Sequence, residues 1–215
     1  MTCIVGLEAN NKGERTVFLG GDTLGTNDSI QEQYALSKVF AIPTGKRTLL
    51  LGYCGTFRNG QILQHALPDI EITHSPGFSD EKFLAMEFSV AVRYVLKEHG
   101  HRHEEIGGRE EVEAMIVAYN GRIYRFNEDL AFLRPLPKKN PQGTLISHAS
   151  IGSGHQPAKG ALVALDQYEL DPETLVLKAL KAAEVVVPSV SGPFKILGMT
   201  VNGKKETYRK IRTYR

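Results

Sequence analysis

The chain has 215 residues, 41% of them hydrophobic, and its 26 Lys and Arg against 24 Asp and Glu give a formal net charge of +2. That is enough chain for one domain with a sizeable core, and so small a charge gives no global argument for nucleic acid or a membrane surface as partner. Two cysteines, Cys3 and Cys54, are too few for a disulfide framework and fit a reducing compartment. No stretch reaches the roughly twenty apolar residues of a membrane span. The N-terminus lacks the basic head and apolar run of a signal peptide. A soluble, cytoplasmic protein is expected.

Residues 3–7 and 16–21 are short apolar runs on either side of a polar, Gly-containing turn at 10–13, which predicts a hairpin. Residues 39–42 and 48–53 form a second such pair across Pro43-Thr44-Gly45-Lys46. A helical pattern follows over 56–67, with Ile62, Leu63 and Leu67 at suitable steps and Pro68 to end it. Residues 69–78 are irregular. Ser79-Asp80-Glu81 then supplies a capping hydroxyl and two acids at the positive end of a helix dipole. Leu84, Phe88, Ala91, Val92 and Val95 fall on one stripe of that helix, which Gly100 closes.

A polar loop is expected over 101–109. Asn120-Gly121, between apolar runs at 115–119 and 122–126, is the strongest short hairpin signal in the chain. Residues 135–142 read as a Pro- and Lys-rich loop, and 147–151 as a strand running into Gly152-Ser153-Gly154. A small-residue helix is expected over 157–165. Asp171-Pro172-Glu173 opens another, with Leu175, Val176, Ala179, Leu180 and Ala183 as its buried stripe. A last strand over 193–201 and a basic tail over 204–215 complete the chain. Strands grouped this way favour antiparallel sheets with helices packed outside them, an α+β fold. The expected organisation is one domain over 1–203 plus the tail, with no internal repeat.

Chemistry concentrates at the start. Thr2 follows the initiator Met, which is normally trimmed before so small a residue. Trimming would leave Thr2 with a free α-amine, a base attached to its own nucleophile. A threonine hydroxyl is weak at neutral pH, and an N-terminal amine is one recognised way to activate it. The amine's reference pKa is about 7.7–8.0, and a nearby cation brings it into the useful range. Lys38 is a candidate for that cation, with Asp22 to hold it.

Thr2, Asp22 and Lys38, within Gly-Gly-Asp-Thr and Ser-Lys-Val-Phe, resemble the catalytic set of proteasome-type N-terminal nucleophile (Ntn) hydrolases, which include proteasome β-subunits and the bacterial HslV-type peptidase. The step from Asp22 to Lys38 is the family's own spacing. The longer step from Thr2 to Asp22 is explained if residues 8–15 form an enlarged hairpin turn. The resemblance implies a four-layer αββα sandwich and a threonine-type endopeptidase that needs no metal or organic cofactor. It implies that the Gly55 N–H faces the developing oxyanion, that Ser153 lies near the nucleophile, and that Tyr53 sits at the base of a specificity pocket. Gly25 and Thr26 are implied as substrate contacts. The expected partners are a polypeptide substrate, further copies of the chain in a ring, and an ATP-dependent unfoldase. Many proteasome subunits carry an Asp-x-x-Ser-Gly string. Residues 187–192 here have no Asp, and Ser191 stands in the serine's place.

Each feature has a plainer reading. Thr2 alone merely follows a start codon, Asp22 alone is a turn residue, and Lys38 alone is a surface lysine. Gly55 serves equally as a strand-to-helix turn, and Cys3 reads as a small buried hydrophobe. Gly152-Ser153-Gly154 fits neither GxGxxG nor Walker A, which argues against a phosphate site. His99, His101 and His103 match no zinc spacing and read as a solvated loop. The basic residues of 204–215 read as a surface tail, with an acidic partner as the alternative. Two rival functions remain open: a non-catalytic subunit that keeps the fold for assembly, and an Ntn amidase acting on a small-molecule amide.

Overall fold

The computed structural model describes residues 2–27, 30–33, 37–99, 114–203 and 205–214. Its first hairpin is longer and tighter than the sequence suggests. Strands β1 (Ile4–Asn11) and β2 (Glu14–Gly21) pair from Ile4 opposite Gly21 to Asn11 opposite Glu14. Only Lys12 and Gly13 turn the chain, both at positive φ. Residues 8–11 and 14–15 are therefore strand, and the turn is two residues rather than enlarged. The cause is Glu8, a charged residue on an inward-facing position. It is 3% exposed, and its carboxylate accepts from Ser147 Oγ (3.2 Å), the Ile123 N–H (3.3 Å) and Arg134 Nη2 (3.4 Å). A carboxylate supplied with donors in this way can be buried.

The hairpin β3 (Leu24–Asn27) and β4 (Ile30–Gln33) stands apart as a two-stranded sheet. Next come β5 (Val39–Thr44) and β6 (Arg47–Tyr53), then α1 (Phe57–His65), whose first turn is capped by the Thr56 hydroxyl. Pro68 ends the α-helix as expected but opens a short 3-10 turn, Leu67–Asp69. Ser79 caps α2 (Asp80–Phe83), which runs through a π-helical turn, Leu84–Phe88, into α3 (Ser89–Glu98). The expected stop at Gly100, the loop over 101–109, and His101 and His103 lie outside the described residues.

Strands β7 (Met115–Tyr119) and β8 (Arg122–Phe126) meet at Asn120-Gly121, where both φ angles are positive, the requirement of a tight two-residue turn. They are followed by β9 (Phe132–Leu133), β10 (Lys138–Lys139), β11 (Leu145–Ile151), α4 (His155–Leu165) and α5 (Pro172–Val186). Asp171 caps α5 as its sequence predicts. After β12 (Phe194–Asn202) the chain does not trail off. The segment expected as a basic tail is β13 (Lys205–Tyr214), paired antiparallel to β12. Charged side chains are a common dressing for a sheet edge, since they discourage pairing with another strand. That composition conceals the strand from a reading by charge.

The six-stranded sheet has the order β10-β11-β1-β2-β12-β13, and the five-stranded sheet β5-β6-β7-β8-β9. Buried apolar residues form three clusters. One, with Ile4, Leu19, Leu50, Ile116 and Leu197, joins the two sheets. A second packs Val5, Leu7 and Phe18 of the larger sheet against α4 and α5. In the third, Leu49, Leu51 and Val117 of the smaller sheet meet α1 and the α2–α3 helix. Glycines allow the closest approaches: a Cβ on Gly20 would come within 2.6 Å of Val176 on α5. Among the described residues no helix is long and apolar enough to cross a membrane.

Glu8 links the two sheets through Ile123 of β8. Glu8→Ala should lower unfolding free energy in urea by about 2–4 kcal/mol, because it strands buried donors. Glu8→Gln, which keeps an acceptor, should lose less.

Candidate active site

The start of β1 is anchored through its backbone. The carbonyl oxygen of Thr2 accepts from Ser153 Oγ and from the Gly154 N–H, each at 3.2 Å, and the Thr2 N–H donates to Ser153 Oγ at 3.2 Å. On the other side of the same peptide unit, the Cys3 N–H donates to Asp22 Oδ1 at 2.9 Å. Residue 2 is thus gripped between the β11–α4 turn and the end of β2. Gly152-Ser153-Gly154 is that turn, and its glycines are there for space. Gly152 has φ +85°, and a Cβ on it would lie 2.3 Å from the Thr2 carbonyl oxygen. A Cβ on Gly154 would meet the Cys3 side chain at 2.7 Å.

Asp22 and Lys38 form a buried ion pair. Lys38 Nζ donates to Asp22 Oδ2 at 2.9 Å and to the Leu24 carbonyl at 2.6 Å, with side chains 4% and 0% exposed. Burial opposes both charges: it pulls the Lys38 pKa below its ordinary value and pushes the Asp22 pKa up. Each partner's charge and the hydrogen bonds work the other way. Asp22 therefore joins the Thr2–Cys3 peptide to a cation in the protein interior. Cys3 is fully buried, and burial pushes its thiol up to about 12, so no thiolate is available there near neutral pH.

The remaining expected residues divide. Gly55 is exposed in the turn between β6 and α1 with φ +136°, and among the described residues its N–H donates to no group. Gly25 is buried in β3 opposite Glu32, one residue beyond the carbonyl that Lys38 engages. Thr26 pairs with Gln31 in the same hairpin. Tyr53 is 4% exposed in the cluster between the smaller sheet and α1, packed so closely over Gly60 that a Cβ there would lie 1.7 Å from its ring.

Ser191 does not reach the site. Its hydroxyl donates to Glu184 Oε1 at 3.1 Å. Ser189, two residues earlier and 4% exposed, lies with its Oγ 3.5 Å from Ser153 Oγ. The string Val-Pro-Ser-Val-Ser-Gly offers both serines, and the anchoring of Val190 in the α4–α5 cluster together with the Glu184 bond to Ser191 decides between them. Thr23 was also missed: its hydroxyl donates to the Pro193 carbonyl at 2.9 Å and ties the end of β2 to the same loop. A cleft of about 660 Å³ between α1 and α3, lined by Arg58, His65, Tyr94 and Glu98 among others, contains none of these residues.

No protein-family model matches the sequence, and no curated protein matches it. Solved structures do. The chain superposes on a Thiobacillus denitrificans BPH with TM-score 0.70 at 17% identity, over 93% of this chain and 100% of that one. It matches Anbu (ancestral beta-subunit) from Yersinia bercovieri with TM-score 0.64 at 12% identity, over 97% and 87% of the two chains. It matches eukaryotic HslV from Trypanosoma brucei with TM-score 0.56 at 17% identity, over 90% and 98%. The chain therefore shares the fold of these BPH, Anbu and HslV structures.

Proposed function

We propose that this chain is a threonine-type peptidase subunit whose nucleophile is Thr2, exposed by removal of Met1. The supporting observation is the Asp22 clasp, which binds the Thr2–Cys3 peptide with one oxygen and the Lys38 ammonium with the other. A buried ion pair set against the Thr2–Cys3 peptide suits the activation of residue 2 better than it suits stability alone. On this reading the chain is one proteasome-like domain, and its two sheets and outer helices make the four-layer αββα sandwich.

The chemistry follows from the groups present. The Thr2 amine, through a water, takes the hydroxyl proton as Oγ attacks the scissile carbonyl. The oxyanion is stabilised by the exposed Gly55 N–H, a preorganised donor of a kind that contributes a few kcal/mol. The C–N bond breaks as the amine returns its proton to the leaving nitrogen, and water releases the acyl ester on Thr2. Ser153 orients residue 2. Gly25 and Thr26 on β3 run beside the substrate, and Tyr53 supports the pocket from beneath. Polypeptide is the substrate, and closed rings of the chain, fed by an ATP-dependent unfoldase in the cytoplasm, keep it from other proteins.

Active protein should begin at Thr2 by intact mass, and Thr2→Ala should abolish cleavage of fluorogenic peptides while leaving thermal unfolding in place. Cleavage by protein that fully retains Met1 would overturn the mechanism. Wild-type cleavage absent after verified processing would favour a non-catalytic subunit.

Lys38 gives a second test. Its charge disfavours a proton on the Thr2 amine and so lowers that pKa below about 7.7–8.0. The amine works when neutral, so kcat/KM should rise with pH through the lowered value. It should fall again as Lys38 deprotonates, below the ordinary lysine value of 10.5 because of burial. Lys38→Met should reduce kcat/KM by about a hundredfold and move the residual acid limb to higher pH. An unmoved acid limb would sever Lys38 from the amine.

A further inference from the structure

We infer that Glu184 is a positioning residue for the candidate site, acting through the loop between α5 and β12. This rests on the reading of Thr2 as nucleophile. An acidic side chain in the last turn of a helix faces the negative end of the dipole and is disfavoured there, so its presence calls for compensation. Glu184 has it: Oε1 accepts from the Gly192 N–H at 2.8 Å and from Ser191 Oγ at 3.1 Å. The carboxylate pins the far end of the loop back onto the helix that precedes it. Charge-assisted bonds of this type are stronger than neutral ones.

The pinned loop touches the site twice. Ser189, 4% exposed, sits with its Oγ 3.5 Å from Ser153 Oγ, and Ser153 in turn contacts both the nitrogen and the carbonyl of Thr2. At the other end, the Pro193 carbonyl accepts from the Thr23 hydroxyl, next to Asp22. Val190, 1% exposed between these two arms, fixes the loop in the α4–α5 cluster. Glu184 therefore sets the position of the two segments that grip residue 2, without touching it. Residues 187–192 hold no carboxylate of their own, and α5 supplies one.

The test compares Glu184→Ala with Glu184→Gln, whose amide oxygen still accepts both bonds. With processed protein and a fluorogenic peptide, Glu184→Ala should lower kcat by about tenfold or more with KM changed less than about twofold. Glu184→Gln should stay within about threefold of wild type. An Ala variant with wild-type kcat, or a Gln variant as impaired as Ala, would refute the proposal. Hydrogen exchange by mass spectrometry supplies a readout independent of turnover. In Glu184→Ala, residues 187–193 should lose protection and so should 150–156, where the Gly154 N–H bonds to Thr2. Loss confined to 187–193 would overturn the coupling. Failure of the peptidase reading is recognised separately, by wild-type inactivity or by activity that survives Thr2→Ala, and the exchange result then still decides whether Glu184 orders the turn around residue 2.

Discussion

The Asp22 carboxylate is the constraint on which the rest of the site depends. It is fully buried and divides its two oxygens between a backbone N–H of β1 and the ammonium of Lys38. Taking two charges out of water is expensive. A buried pair is often no more stable than well-packed apolar residues, while removing one partner typically costs 3–5 kcal/mol. Such a pair is weak evidence for stability. On the proposed reading, its place beside the first residues of β1 is explained by what the Lys38 cation would do to the Thr2 amine once Met1 is removed.

The fold brings together segments far apart in sequence to make this arrangement. Asp22 follows β2, Lys38 precedes β5, Ser153 follows β11 and Ser189 follows α5. The two sheets bury apolar faces against each other, and the site forms at one end of that seam, where β1 begins. Backbone holds more of it than side chains do. The Thr2–Cys3 peptide is bonded on both sides, and Gly152 and Gly154 admit the chain only because they carry no Cβ. If Thr2 is the nucleophile proposed above, this backbone anchoring supplies the fixed geometry that preorganised catalysis requires.

Much of this was legible in the sequence because the signals were local. Asn120-Gly121 fixed a turn, Ser79 and Asp171 announced helix starts, and the spacing of Leu175, Val176, Ala179, Leu180 and Ala183 gave a face that is buried as expected. The closeness of Asp22 and Lys38 to the start of β1 was suggested because each stands beside a distinctive apolar string. What escaped depends on contacts distant in sequence. Glu8 looks like a turn residue until Ser147, Ile123 and Arg134 arrive around it. The strand Lys205–Tyr214 is hidden by charge that suits a sheet edge. The β3–β4 hairpin, Leu-Gly-Thr-Asn against Ile-Gln-Glu-Gln, lacks the apolar alternation that marks a strand. The choice of Ser189 over Ser191 turns on a packed valine and on a glutamate of the preceding helix.

The most direct measurement is the location of the covalent acyl group. Processed protein would be mixed with a peptide ester, quenched in acid within a turnover, digested and sequenced by tandem mass spectrometry. The account predicts the acyl mass on the hydroxyl of an N-terminal Thr2, absent when Asp22 is replaced by Ala. An acyl group carried by Cys54 or another side chain, with Thr2 unmodified, would contradict it.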